Sequence, residues 1–288
     1  MRSNLSLRIM SSIVFGPVVL LIIWFGKAFY EFYAIPIFPL MLAFLGAGLA
    51  WEWDTMFHNK ITVSGIFLAA LSSVVVFLTA DNPIFALWLV LAGLTFILWK
   101  SKGQFAFAAG AAYICLPLIA LAYLYDTNGH ISRELVLWLV FVVWATDIGG
   151  YVVGMTVGGP KLAPKISPKK TWAGLIGAVL FAMAVAYVFA LYLKAYGYVD
   201  SIALSNLTKG LVLASGFLAV VSQMGDLFES MIKRRLNLKD SSNIIPGQGG
   251  LFDRVDGLIF ASIAVAAVVY VVGDKWFLLL EKGNFLWY

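Results

Sequence analysis

A chain of 288 residues that is 62% hydrophobic and 12% charged, with a mean hydropathy of +0.92, carries more apolar surface than a soluble fold can hide; soluble domains run at about 45–50% apolar and about 25% charged. That balance excludes the soluble globular class and predicts an all-α polytopic membrane protein. The net charge of +5 says less than the placement of the charges, and the single cysteine, Cys115, excludes an intrachain disulfide.

About 20 apolar residues cross the hydrocarbon core. Runs near that length fall at 9–26, 33–50, 61–79, 83–99, 105–125, 135–157, 172–193, 211–225 and 257–280, which predicts about nine spanning helices. Residues 1–8 are short and basic, and no small-residue cleavage site follows 13–25, so the first run is expected to be a retained span. Pro36 and Pro39 are expected to delay or kink the second. With the N-terminus in the cytoplasm, 14 of the 20 basic residues face that side, in agreement with the positive-inside rule. The two longest cytoplasmic segments are then 158–171 and 233–256. The chain reads as one membrane domain over residues 1–288, with a helical scaffold in 1–130 and the chemistry loaded into 135–280.

Ionisable residues inside spans are costly and mark functional candidates. Asp147 sits near the middle of the sixth span, in the run Trp144-Ala-Thr-Asp-Ile-Gly-Gly-Tyr151. Gly150, Gly154 and Gly158 follow at four-residue spacing, a small-residue stripe that lets another helix approach closely. Directly before the seventh span, Lys161, Lys165, Lys169 and Lys170 alternate with Pro164, Ser167, Pro168 and Thr171. A basic loop alone would be drawn to anionic lipid. Two prolines and two hydroxyls at a helix start suit the binding of a phosphate chain.

The third constellation follows the eighth span. Asp226, Glu229 and Lys233 are spaced to share one helix face. Asp253 and Asp256 stand three apart at the entry to the ninth span. Between them lies the turn Pro246-Gly247-Gln248-Gly249-Gly250, whose backbone N–H groups are free of side-chain obstruction and suit a phosphate cradle. Carboxylates without Cys or His suit Mg²⁺, which binds through one or two of them plus substrate phosphates. Lys233, Arg234, Arg235, Lys239 and Arg254 can neutralise phosphate charge. Neither a Walker-type loop nor a Cys/His cluster is present, and His58 and His130 both fall in loops, so a histidine general base has no candidate.

The stretch from Ser230 to Asp256 resembles the signature of the phosphatidate cytidylyltransferases (CDP-diacylglycerol synthases). It runs Ser-x-Ile-Lys-Arg, four residues, Lys-Asp, then Pro-Gly-x-Gly-Gly and Asp-Arg-x-Asp. Ser167–Trp172 and Asp147–Tyr151 are also similar to that family, so the likeness covers about 144–256. The resemblance implies transfer of CMP from CTP to phosphatidate, giving CDP-diacylglycerol and pyrophosphate. It implies Mg²⁺ on Asp226 and Asp253, with a second cation left open. The expected catalytic residues are Asp147, Lys169, Lys170, Asp226, Lys233, Asp253, Arg254 and Asp256. The expected substrate contacts are Lys165, Ser167, Thr171, Ser230, Lys239, Gly247, Gln248, Gly249 and Gly250. CTP, phosphatidate and membrane lipid are the expected partners, with a homodimer and no nucleic acid, in a bacterial inner membrane with the site facing the cytoplasm. Where the family usually has histidine in the turn, this chain has Gln248, which cannot carry a proton at neutral pH. A CTP-dependent polyprenol kinase and a membrane transporter are the alternatives.

Overall fold

The structure is a computed structural model that describes residues 2–126, 132–198, 204–245 and 249–272, with side chains in the first helix from Gly16 onward. Its elements run α1 (Arg2–Tyr33), α2 (Ile37–His58), α3 (Val63–Asp81), α4 (Pro83–Lys100), α5 (Phe105–Ala108), α6 (Gly110–Asp126) and α7 (Ser132–Thr156). A two-stranded hairpin follows, β1 (Lys161–Ala163) and β2 (Ser167–Thr171), then α8 (Trp172–Ala195), α9 (Leu204–Arg235) and α10 (Phe252–Val272). Eight helical stretches among the described residues are long and apolar enough to cross a membrane, with α5 and α6 taken as one. The protein is thus an all-α multi-pass membrane protein, and the hairpin is its only sheet among the described residues.

The helix ends follow local chemistry. Pro36 directly precedes α2 and Pro39 sits in its first turn, where a missing N–H costs nothing. Thr62, Asn82 and Thr171 cap α3, α4 and α8 by accepting from Gly65 N, Phe85 N and Gly174 N, each at 3.0 Å. Three elements outrun their apolar stretches. α2 continues to His58, past the expected end at residue 50. α9 is 32 residues long, about 48 Å at 1.5 Å per residue, so it greatly exceeds the apolar core it starts from. α10 begins at Phe252 rather than residue 257.

The chain folds as two compact units. The first holds Met1–Val136 and Ile232–Ile259; the second holds Leu137–Met231 and the end of α10 from Phe260. The signature segment from Ile232 on therefore belongs with the N-terminal helices. In the first unit, Phe38, Leu42, Leu49, Leu68 and Leu118 are fully buried where α2, α3 and α6 pack. Gly46 makes this approach possible, since a Cβ there would stand 2.6 Å from Leu118 Cδ1. Asp54, buried at the end of α2, accepts from Thr62 N at 2.5 Å, Thr62 Oγ1 at 2.9 Å and His58 Nδ1 at 2.8 Å, which closes the turn into α3.

In the second unit, Ala178, Ala182, Ala186 and Ala190 form a fully buried stripe along α8. Glycines bring α7 and α8 together, Gly150 and Gly154 at the expected spacing and Gly149 in addition. A Cβ on Gly149 would lie 2.6 Å from Gly177 O, and one on Gly174 would lie 2.9 Å from Gly150 O. Gly154 contributes by facing Gly174, whereas Gly158 lies beyond the end of α7 at φ +66°, with nothing within 4 Å of its Cβ direction. Its role is to turn the chain into the hairpin, because the left-handed region is open to glycine without strain. The Trp138 indole N–H donates to Ser215 Oγ at 3.0 Å, tying α7 to α9.

Candidate active site

The segment 158–171 folds as an antiparallel hairpin. Lys161 pairs with Thr171 and Ala163 with Ser167, with an irregular register between. Pro168 is tolerated in β2 because both strands of a two-stranded sheet are edges. The hairpin puts Lys165 near its tip, exposed, with Ser167 and Lys169 along β2. Lys170 points the other way, partly buried, and its Nζ forms an ion pair with Asp226 Oδ2. Thr171 serves as the α8 cap already described, so its hydroxyl oxygen is engaged by the backbone.

Asp226 lies two turns before the end of α9. Its other oxygen, Oδ1, accepts from Ser230 Oγ at 3.4 Å, one helical turn on. Asp226 and Lys170 are 23% and 18% exposed, although the Lys170 Nζ itself is buried. Glu229, next along the expected helix face, is buried. Lys233 follows on the same face of the continuous helix, seven residues after Asp226. The helix then stops: Asn237 adopts φ 58°, and Leu238 N closes back on Lys233 O at 2.8 Å.

The second ion pair, Lys233 Nζ with Asp253 Oδ1, is more enclosed, at 10% and 11% exposure. Asp253 Oδ2 is held by Gly250 N at 2.8 Å, by Ser241 N at 3.0 Å and by Ser241 Oγ at 3.1 Å. The glycine turn is fitted around it. Gly249 has φ +88°, and a Cβ there would stand 2.5 Å from Asp253 Oδ2. A Cβ on Gly250 would overlap Ser241 Oγ and the Glu52 carboxylate. Ile245 N donates to Gly249 O at 3.0 Å, closing the base of the turn. Its tip, including Pro246 and the expected substrate contacts Gly247 and Gln248, lies outside the described residues, as does His130.

The remaining expected residues are more dispersed. Asp147 is exposed on α7. Asp256 Oδ1 accepts from Gly257 N at 2.7 Å. Arg254 and Lys239 are exposed in the signature segment. One residue was absent from the sequence reading altogether. Glu52, in α2, is 0% exposed and reaches the same glycine turn and the start of α10. A signal was available, because Glu52 and Asp54 lie on either side of Trp53 with no basic residue beside them.

No group of three or more His, Cys, Asp or Glu side chains converges among the described residues. Mg²⁺ does not require one, since it keeps waters and takes one or two carboxylates plus substrate phosphates. Asp253 fits that demand: its Oδ2 is fixed by three donors, while its Oδ1 faces a cationic group. Asp226 also presents one oxygen to a lysine. Each is a hard-oxygen donor of the kind Mg²⁺ takes, and a lysine ammonium now holds the oxygen that a cation would need.

The cytidylyltransferase family model matches residues 6–272, which is nearly all of the described chain and includes both ion pairs. The chain belongs to the cytidylyltransferase family. Its relatives among well-characterised proteins are similar over nearly their whole length. The phosphatidate cytidylyltransferase of Brucella suis biovar 1 (strain 1330) is 34% identical over 277 residues, covering 94% of each chain. That of Rickettsia bellii (strain RML369-C) is 32% identical over 262 residues, covering 91% of this chain and 89% of the relative. Family membership makes the protein an enzyme of the nucleotidyltransferase type, and both relatives are bacterial. Within this cytidylyltransferase, the residues of the signature segment come together as a folded unit, with the lysine of Ser-x-Ile-Lys-Arg on the first aspartate of Asp-Arg-x-Asp.

Proposed function

We propose that the protein transfers CMP from CTP to phosphatidate, giving CDP-diacylglycerol and pyrophosphate for phospholipid biosynthesis. The observation that carries this reading is the Lys233–Asp253 pair inside a glycine turn fitted around the carboxylate, in a chain whose relatives bear the name phosphatidate cytidylyltransferase. A phosphate oxygen of phosphatidate attacks the α-phosphorus of CTP. A new O–P bond forms, the bond from the α-phosphorus to the bridging oxygen breaks, and pyrophosphate leaves with the electron pair. The attacking oxygen is largely ionised at neutral pH, since such phosphates have a second pKa of about 6. No general base is required, which accounts for Gln248 in place of histidine.

What the reaction does require is alignment and neutralisation of charge. Asp226 and Asp253 would hold Mg²⁺, which when bound polarises the phosphoryl oxygens and stabilises the leaving pyrophosphate. Lys170 and Lys233 are the ammonium groups that those aspartates now hold. They would turn to the triphosphate as the carboxylates take up their ligand. Lys165, Lys169, Arg254 and Lys239, all exposed, would gather the anionic substrates. Ser167, Ser230 and Gly249 would supply hydroxyl and backbone donors, while Gly250 acts through the N–H it gives to Asp253. Asp147, Asp256 and a second cation complete the proposal. So do a homodimer and placement in the inner membrane as one domain, with N-terminus and site on the cytoplasmic side, which the 14 of 20 basic residues in those segments support.

The acceptor lipid tests the proposal. Purified protein in detergent micelles, given CTP and Mg²⁺, should convert phosphatidate to CDP-diacylglycerol and leave polyprenol untouched. Phosphorylation of polyprenol with phosphatidate unchanged would overturn it.

A further inference from the structure

Glu52 lies 189 residues before Ser241, in the half of the chain expected to be scaffold, yet its carboxylate is fully buried against the signature segment. Both oxygens are in use. Oε1 accepts from Leu251 N at 2.7 Å and Ser242 Oγ at 2.5 Å; Oε2 accepts from Phe252 N at 3.0 Å. Ser241 Oγ stands 3.1 Å from Oε2 and also 3.1 Å from Asp253 Oδ2. Because a hydroxyl has one proton, Ser241 bridges the two carboxylates and serves one at a time.

A buried carboxylate without donors would shed its charge. Here two of the donors are the unsatisfied N–H groups at the start of α10, where the helix dipole also favours an anion. The usual capping position before Phe252 is filled by Leu251, which has no acceptor side chain. The cap is supplied from α2 instead. The neighbouring Trp53 completes the grip: its ring lies 5.8 Å from that of Phe252, which also stacks on Tyr113 at 5.7 Å. The residue after Phe252 is Asp253.

We infer that Glu52 is a positioning residue for the transfer reaction: a buried carboxyl group that caps α10 from α2 and, through Ser241, aims the Asp253 carboxylate. This rests on Asp253 being a group that meets the cation and the nucleotide. The arrangement fixes Oδ2 of Asp253 and leaves Oδ1 as the oxygen presented outward to Lys233. It gives the N-terminal helices a task in the chemistry beyond anchoring the chain in lipid.

Glu52→Gln keeps the shape but replaces one acceptor oxygen with an NH₂ group. Whichever way the amide turns, a backbone N–H of α10 faces it. In the purified full-length protein, kcat should fall about 10–100-fold, as for other supporting groups behind ligating carboxylates, with KM for CTP changed far less. Hydrogen–deuterium exchange should rise in peptides covering 249–256 and stay unchanged in α3 and α4. Ser241→Ala removes only the bridging hydroxyl and should lower kcat roughly 2–10-fold at an unchanged melting temperature, so it decides the matter where Glu52→Gln does not fold. Wild-type kcat in either variant, or a kcat loss without faster exchange at 249–256 in Glu52→Gln, would overturn the inference. Asp253→Asn, run alongside, separates the two claims. An inactive Asp253→Asn beside a fully active Glu52→Gln defeats only the positioning role, whereas an active Asp253→Asn defeats the functional reading beneath it.

Discussion

Asp253 and Asp226 each face a lysine, but their surroundings differ. Around Asp253, three donors hold one oxygen, two glycines leave room for it, and a buried glutamate from α2 braces the same turn. Around Asp226, one serine at 3.4 Å and one lysine make up the described partners, and the pair is about twice as exposed. The support of its unit lies elsewhere, in the close glycine and alanine packing of α7 and α8. The same residue pair is thus built once as a fixed group and once as an adaptable one. A rigid carboxylate can define where a cation sits, and a less firmly held lysine–aspartate pair can exchange partners when a triphosphate arrives.

The comparison can be broken most sharply at the aspartates. Asp226→Asn and Asp253→Asn should each lower turnover by about 10³-fold, measured as CDP-diacylglycerol formed. Only Asp253→Asn should also lower the melting temperature in detergent, because its oxygen organises the turn. Equal melting shifts would remove the distinction between the two sites. The lysines come next. Lys233→Ala strands a largely buried carboxylate and should cost about 3–5 kcal/mol of stability. Lys170→Ala, whose partner Asp226 is less enclosed, should cost less stability than Lys233→Ala while still weakening CTP binding. Gly149→Ala drives a Cβ to 2.6 Å from the Gly177 carbonyl and should destabilise by about 1–3 kcal/mol. The smallest expected effect is at the turn: Gln248→His should change kcat by less than about threefold, since no proton transfer is asked of that position. A large gain or loss would mean that the turn takes part in acid–base chemistry.

Apolar run length and charge placement were enough to find the helices, because lipid leaves the backbone few alternatives. The placement of signature residues on their helices was legible in part, but not the pairing of Lys233 with Asp253. Spacing alone put Lys233 on the Asp226 face of one helix and Asp253 at the start of another. What hydropathy concealed was polar structure inside apolar surroundings. Glu52 escaped notice because a window of hydropathy scores a carboxylate the same whether it faces water or four donors. The hairpin was hidden by its prolines and by strands of three and five residues, which give no usable alternation. Thr171 was expected to face phosphate, and the structure uses its hydroxyl as a helix cap, a role that Ser and Thr before an apolar run commonly fill. The glycine stripe was legible at Gly150 and Gly154, which both lie against Gly174 of α8, but Gly158 lies past the helix end and Gly149, outside the stripe, makes the tightest approach, to Gly177.

The central claim is that the α-phosphoryl group of CTP, with its cytidine, moves onto the lipid. It is tested most directly by running the purified enzyme with phosphatidate and CTP labelled separately at the α- and γ-phosphates. The account predicts α-label in the lipid product and γ-label in released pyrophosphate. Appearance of γ-label in the lipid, with CDP as the other product, would contradict it.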